Sequence, residues 1–294
     1  MSRFTELPDD TVALFDRTPY GFGHNLSTLD LFEFETLCAL ARTYDHDYYV
    51  SGGASAPGQR FYSVRSIAHS PHDALQRLGV EDQRVLLKRP EQYDERYRDL
   101  MHELFDEMVR HRGGLGGARV VRLASSILIS SAATTTPFHF DPEMTYFFQI
   151  EGAKSYHLYA PTVLSETELE NFYWMGIVNI GQVDLAGRDP AREFVFELEA
   201  GKGMHQPQNC PHWVQTQGTR SISYAISFET DASREIGRTR AFNYYQRRLG
   251  MPPAPLGAYP KRDAAKALAM QAAIPLRKGV ADAVRRLTAS GSKA

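Results

Sequence analysis

From residue 118 onward the apolar residues change period, from the 3.6 of a helix to the 2 of a strand, and apart from one insertion at 161–192 they keep it through residue 229. The pattern predicts strands at 119–130 (RVVRLASSILIS), 144–150 (MTYFFQI), 154–159 (KSYHLY), 193–198 (EFVFEL), 203–207, 212–216 and 221–229 (SISYAISFE). Turn signals separate several of them, at Glu151-Gly152, Ala200-Gly201 and Gln217-Gly218. So many consecutive short strands must pack face to face or close on themselves, which predicts a β-barrel or β-sandwich.

Helices flank this core. Residues 91–112 carry an apolar stripe of Tyr97, Leu100, Met101, Leu104, Phe105 and Met108, and Gly113-Gly114 stops it. A second helix is predicted over 28–43 with Ser27 as N-cap, and VLLK at 85–88 reads as a strand. The insertion 161–192 opens with a short helix, SETELENFYW, and continues as a loop of the kind that covers binding sites. After residue 230 a helix, a proline-rich break and a helix over 261–289 are expected. The domain reading is therefore 1–117, a mixed helical region packed on the core; 118–230, the β core; and 231–294, a helical extension.

Charge divides the chain in the same place. Residues 231–294 hold 13 Lys/Arg against 4 Asp/Glu, whereas 1–230 hold 20 against 31. A basic tail on an acidic body suits docking within or between subunits, and the tail has no nucleic-acid recognition motif. Two cysteines are too few for a disulfide framework, and no run approaches the ~20 apolar residues that span a bilayer. A soluble, cytoplasmic protein without a membrane partner is expected.

The chemistry concentrates in TPFHFDPEMTYFFQIEGAK, residues 136–154. On an extended chain His139 and Asp141 point to one face and can share a metal ion. A neutral imidazole and a carboxylate are two thirds of the facial triad that holds non-haem Fe(II) and leaves positions open for a co-substrate and O2. His212, on a distant strand, is the candidate third ligand. Lys154 opens the strand after Gly152, and an inward ammonium there needs an anion. Thr136 and Thr145 offer hydroxyls to the same anion. Four other residues are weighed and set lower. His205 is expected to be a hydrogen-bonded, partly buried side chain, His157 to be packing, Cys210 to be a turn residue beside the metal, and Arg220 to be a solvated turn residue or an alternative anchor.

These segments resemble JmjC-domain oxygenases, particularly the branch of the asparaginyl hydroxylase of hypoxia-inducible factor. That branch has Thr-Pro-x-His-x-Asp followed by Phe-Phe-x-Gln-Ile-x-Gly-x-Lys. This chain has Thr136-Pro137-Phe138-His139-Phe140-Asp141 and then Phe147-Phe148-Gln149-Ile150-Glu151-Gly152-Ala153-Lys154. The element around the distal histidine matches more loosely, through Gly201 to His212, with Lys202, His205 and Gln206 as departures. The resemblance implies a cupin-like double-stranded β-helix (jelly roll) buttressed by N-terminal helices. It implies Fe(II) on His139, Asp141 and His212, with 2-oxoglutarate and O2 as co-substrates. By the same resemblance Lys154 and Thr136 contact 2-oxoglutarate, while Thr145 and Ser227 replace two asparagines of the asparaginyl hydroxylase near it.

The implied activity is hydroxylation, or demethylation where the carbon is N-methyl. The substrate stays open among peptide, protein side chain and small metabolite. Two C-terminal helices after the barrel resemble a dimerising arm, so a homodimer through them is expected. The rival readings are a non-catalytic JmjC-like regulatory protein and a cupin-like metalloenzyme that does not use 2-oxoglutarate.

Overall fold

The computed structural model describes residues 2–174 and 180–273. Its chain divides into two compact units, Met1–Val163 with Ile180–Glu229, and Leu164–Asn179 with Thr230–Ala294.

The first unit is a jelly roll. Its strands are β1 (Phe4–Glu6), β2 (Tyr20–His24), β3 (Tyr48–Ser51), β4 (Arg84–Lys88), β5 (Val120–Ser130), β6 (Thr135–His139), β7 (Met144–Tyr159), β8 (Glu193–Leu198), β9 (Lys202–Gln206) and β10 (His212–Thr230). The long strands β7 and β10 run antiparallel to each other over most of their length and serve both layers. Their outer halves pair in the row β1-β2-β9-β7-β10-β5-β4-β3, and their other halves carry β8 on one side and β6 on the other. Both bend in the same region. Gly152 of β7 adopts φ +71, a conformation that favours glycine, and β10 shifts register between Gln217 and Ile222.

Where two strands were expected on each side of these bends, the ladder continues through. A glycine turn therefore reads as a break in sequence, although cross-strand hydrogen bonds carry the strand past it. The sequence pattern also missed β1, β2 and β3. In β2, YGFGH, two glycines hide the alternation, yet the strand pairs fully with β9.

Alternation separates two cores. Tyr146, Phe148, Ile150, Ile222, Tyr224, Ile226 and Phe228 face outward and pack with Val85, Leu87, Ile127 and Ile129 and with the helices α1 (Phe34–Ala41) and α2 (Glu95–Arg112). Phe147, Tyr156, Leu158, Leu198, Met204, Val214 and Ala225 face inward. The 91–112 helix begins four residues later than expected, because Pro90–Gln92 forms a 3-10 turn and Asp94 caps the helix by accepting from the Arg96 N–H. Gly113, at φ +78, ends it. The helix expected over 28–43 is shorter. Leu26–Thr28 and Asp30–Phe32 are 3-10 turns split by extended Leu29, so Ser27 lies inside a turn and Glu33 takes the N-cap position.

The second unit holds α3 (Glu166–Tyr173), α4 (Asp231–Arg248) and a helix over 260–273. Buried Glu170 receives a two-pronged ion pair from Arg247 at 2.8 and 3.1 Å, and Trp174 stacks on Tyr244. The rest of the expected 261–289 helix lies outside the described residues. Among those residues no helix is long and apolar enough to cross a membrane.

Candidate metal centre

The β6–β10 register sets the site. His139 and His212 are cross-strand partners, and Asp141 follows two residues beyond His139. Their rings stand 4.1 Å apart between centroids. His139 Nε2 lies 3.9 Å from one oxygen of Asp141, and His212 Nε2 lies 3.7 Å from the other. One ligand atom from each of the three falls within 4.8 Å of the others. Ligands held at roughly 2.1 Å from a shared ion stand about 3–4 Å apart, so the set needs little adjustment to close on a metal.

The hydrogen bonds fit the same use. His139 Nδ1 bonds the Pro137 carbonyl oxygen at 2.6 Å, and His212 Nδ1 bonds the Cys210 carbonyl oxygen at 3.0 Å. Each carbonyl accepts a proton from Nδ1, so each Nε2 keeps its lone pair for a metal. Burial lowers the pKa of both imidazoles and keeps them neutral, the state that coordinates. Burial also raises Asp141, against the opposing pull of His212. A cation in the site reverses that penalty. The donor set thus fits a divalent metal of the iron class.

Lys154 lies deeper, where β7 and β10 bend. Its side chain is 3% exposed, and Nζ donates to Ser223 Oγ at 2.9 Å. Ser223 in turn donates to Gln149 Oε1 at 2.8 Å. Lys154 Nζ also lies 5.4 Å from the Phe147 ring. Among the described residues no carboxylate pairs with it. Burial, and after it the charge of Arg84, lowers its pKa to about 7. Side chains link this ammonium to the metal end. Phe147 meets Tyr156 at 5.1 Å, Tyr156 stacks on His212 at 5.3 Å, and the Tyr156 hydroxyl donates to Gln206 Oε1.

The other candidate residues are placed as follows. Thr145 and Ser227 are cross-strand partners whose hydroxyls bond each other at 2.9 Å. They lie toward the strand ends, away from the bend that holds Lys154. Thr136 lies opposite Val214 in the β6–β10 ladder. His205 is fully buried and stacks on Phe15 at 4.7 Å, with Tyr20 and Tyr146 beside it, outside the metal cluster. His157 stacks on Trp213 and faces Glu193. Cys210 donates its thiol to the Tyr159 carbonyl oxygen. Arg220 is occupied by Glu151 and by the Phe34 ring, so the alternative anchor is spoken for.

Sequence reasoning missed the flanking walls. The Phe61 ring lies 4.9 Å from His139, and its backbone N–H donates to Gln182 Oε1. It also passed over Ser223, although SISYAISF alternates small Ser221, Ser223, Ala225 and Ser227 with large outward residues. An inward face of small side chains leaves volume for a ligand, and that signal was available.

No protein-family model matches the chain, and no curated protein matches it. Solved structures do. The Escherichia coli protein YcfD superposes with a TM-score of 0.55 at 18% identity, over 93% of this chain and 69% of that one. The same protein, described as a ribosomal oxygenase in complex with cobalt and 2-oxoglutarate, gives 0.53 at 18% identity over 92% and 68%. Its complex with cobalt and succinic acid gives 0.51 at 17% identity over the same shares. The chain shares their fold. The jelly roll is therefore established on two grounds, the strand pairing and the superposition.

Proposed function

We propose that this protein is an Fe(II)- and 2-oxoglutarate-dependent oxygenase that hydroxylates a side chain of a peptide or protein. One observation carries the reading: a metal-ready His139, Asp141 and His212 at one end of the jelly roll, with a buried, carboxylate-free Lys154 at the other. A cupin-like metalloenzyme without 2-oxoglutarate has no use for that ammonium, whose burial costs stability unless an anion arrives.

When bound, iron with 2-oxoglutarate and O2 supplies oxidative decarboxylation to succinate and CO2, with one oxygen atom passed to a C–H bond. The residues of the chain position and exclude. His139, Asp141 and His212 would hold the metal through two imidazole nitrogens and a carboxylate oxygen. Lys154 would donate to the far carboxylate of the co-substrate. Thr145 and Ser227 lie nearer the metal end, and Thr136 adds a hydroxyl from β6. Phe147, Tyr156 and Leu158 keep water from the space between.

A protein substrate draws support from the ribosomal oxygenase described for the structural neighbour. It also draws support from exposed Tyr62 beside Phe61, an aromatic rim next to the metal ligands. The reading includes a homodimer through the C-terminal helices, where Leu268 is exposed on the 260–273 helix and Leu249 and Met251 are exposed just after the helix Asp231–Arg248. Light scattering at micromolar concentration tests that part, and a monomer removes it. For the activity, anaerobically purified protein given Fe(II), 2-oxoglutarate and O2 should form succinate, faster with a substrate peptide that gains one oxygen atom. Metal and 2-oxoglutarate binding without any succinate would instead favour a non-catalytic binding protein.

A further inference from the structure

A second cation, Arg84, stands on an inward-facing position of the jelly roll, the side on which Lys154 lies. Arg84 opens β4, where Val85 and Leu87 belong to the outer core. Alternation puts Arg84 and Leu86 on the opposite, inward face. The pairing agrees: Leu86 is the partner of Leu128, which packs on the inner cluster with Val214 and Ala225. One step along that face, Arg84 stands between Ser130 of β5 and Ser51 of β3.

The Arg84 side chain, half-buried, has no hydrogen-bond or ion-pair partner among the described residues. That sets it apart from Arg89, Arg122, Arg220 and Arg247, each of which meets a carboxylate. Ser51, 1% exposed, also keeps a hydroxyl without a partner. After burial, the charge of Arg84 is the next influence lowering the Lys154 pKa, in keeping with the inward position that the strand register gives it. Burial brings Arg84 itself down to about 10, so it remains a cation at neutral pH. Two like charges and an unpartnered buried hydroxyl on the inward face suit the binding of an anion.

We propose that Arg84 is a second anchor of the co-substrate pocket, and that the far carboxylate of a five-carbon 2-oxo diacid is gripped between Arg84 and Lys154. This rests on the oxygenase reading above and adds a residue to it. The division of labour follows from the groups. A guanidinium offers a planar pair of N–H donors matched to a carboxylate, whereas an ammonium acts as a point charge. Lys154 uses one of its three donors on Ser223 and has two left for the ligand. The Ser51 hydroxyl can supply another. A 2-oxo acid with a methyl group in place of that carboxylate would leave both cations uncompensated, so the pocket selects for the diacid.

The test uses the full chain loaded with Mn(II), without oxygen, titrated calorimetrically with 2-oxoglutarate and with 2-oxopentanoate. The second ligand keeps the metal-chelating end and lacks the far carboxylate. Arg84→Met and Lys154→Met should each weaken 2-oxoglutarate about 10–150-fold and leave 2-oxopentanoate within about threefold. Combined, they should cost less than the product of the two effects, because both act on one carboxylate. Arg84→Lys should recover part of the affinity. Arg84→Met removes an uncompensated charge, so Mn(II) binding and the thermal midpoint should hold, and a variant that fails them is replaced by Arg84→Gln. If Arg84 variants bind 2-oxoglutarate within twofold of the parent while Lys154→Met does not, the proposal is overturned and the oxygenase reading stands. If the metal-loaded parent binds neither 2-oxo acid, the oxygenase reading itself fails.

Discussion

His139 and His212 face each other directly across the β6–β10 ladder, each with its Nδ1 tied to a backbone carbonyl two residues before it in sequence. The ladder and the two carbonyls aim both Nε2 atoms at Asp141 before any metal arrives. His139→Ala or His212→Ala should therefore weaken Fe(II) or Co(II) by more than the roughly 10–100-fold that loss of a merely supporting hydrogen bond costs. Circular dichroism should show the fold retained. His205→Ala should do the reverse, binding metal normally while losing about 2 kcal/mol or more of stability, since its ring fills space among Phe15, Tyr20 and Tyr146. Normal metal affinity in His212→Ala would remove it from the ligand set.

If Lys154 anchors 2-oxoglutarate as proposed, co-substrate binding has a pH dependence of predictable sign. Burial and Arg84 hold its pKa at about 7 in the ligand-free protein, well below the 10.5 of a free lysine. A carboxylate beside it favours the charged form and raises that pKa, so binding takes up a proton wherever the free protein has lost one. Affinity for 2-oxoglutarate should be flat below pH 7. It should then fall by up to about tenfold per pH unit above it, one proton being linked. Lys154→Met should weaken binding and abolish the slope. Calorimetry in buffers of different ionisation heat reads the proton directly, and a pH-independent affinity from 6.5 to 8.5 would contradict the linkage.

How far the sequence carried the site depended on what each residue needs around it. The His139, Asp141 and His212 cluster could be expected because ligation asks for particular residue types at i and i+2 on a strand and a partner on a distant one. Lys154 stood out through the cost of an inward ammonium without an anion and through the family resemblance. Arg84 was not legible. It precedes VLLK, read as a strand from 85, and nothing local distinguishes an inward arginine at a strand end from a solvated one. Only the pairing with Ser51 and Ser130 shows its face. The β2 strand was hidden for a related reason. Gly21 and Gly23 carry no side-chain pattern, and the matching Gly203 of β9 exists to admit the Phe22 ring, a tertiary fact. Long-range pairing, not propensity, decided both.

The bend at Gly152 should be the most sensitive backbone position in β7. Its φ of +71 disfavours any side chain, and a Cβ there would overlap the carbonyl oxygen of Arg220 on β10. Gly152→Ala should cost about 2–4 kcal/mol, combining left-handed strain with a backbone clash that only movement of β10 relieves. Lys154 follows two residues later, so its aim at Ser223 should suffer as well. The expected signature is a lower urea midpoint together with weaker 2-oxoglutarate binding at unchanged metal affinity. A change in stability without any change in co-substrate affinity would mean that the bend does not set the lysine.

Gln182 should control how firmly the wall beside the metal is held. Its Oε1 accepts from the Phe61 N–H at 2.6 Å and its Nε2 donates to the Phe138 carbonyl oxygen at 3.4 Å, so one side chain ties the Phe61 loop to β6. Next to it, Gly181 exchanges two backbone hydrogen bonds with Phe140, the residue between His139 and Asp141. Gln182→Ala removes the side-chain tie and leaves the backbone pair. At about 1 kcal/mol for the stronger of the two bonds, the loop should open roughly five times more often. The triad itself is untouched, so equilibrium metal affinity should change little. Metal release into a chelator should quicken about fivefold, and proteolysis near residues 58–63 should rise with it. If both rates match the parent, the Phe61 loop is held by its own packing, and Gln182 is only a hydrogen-bonded bystander.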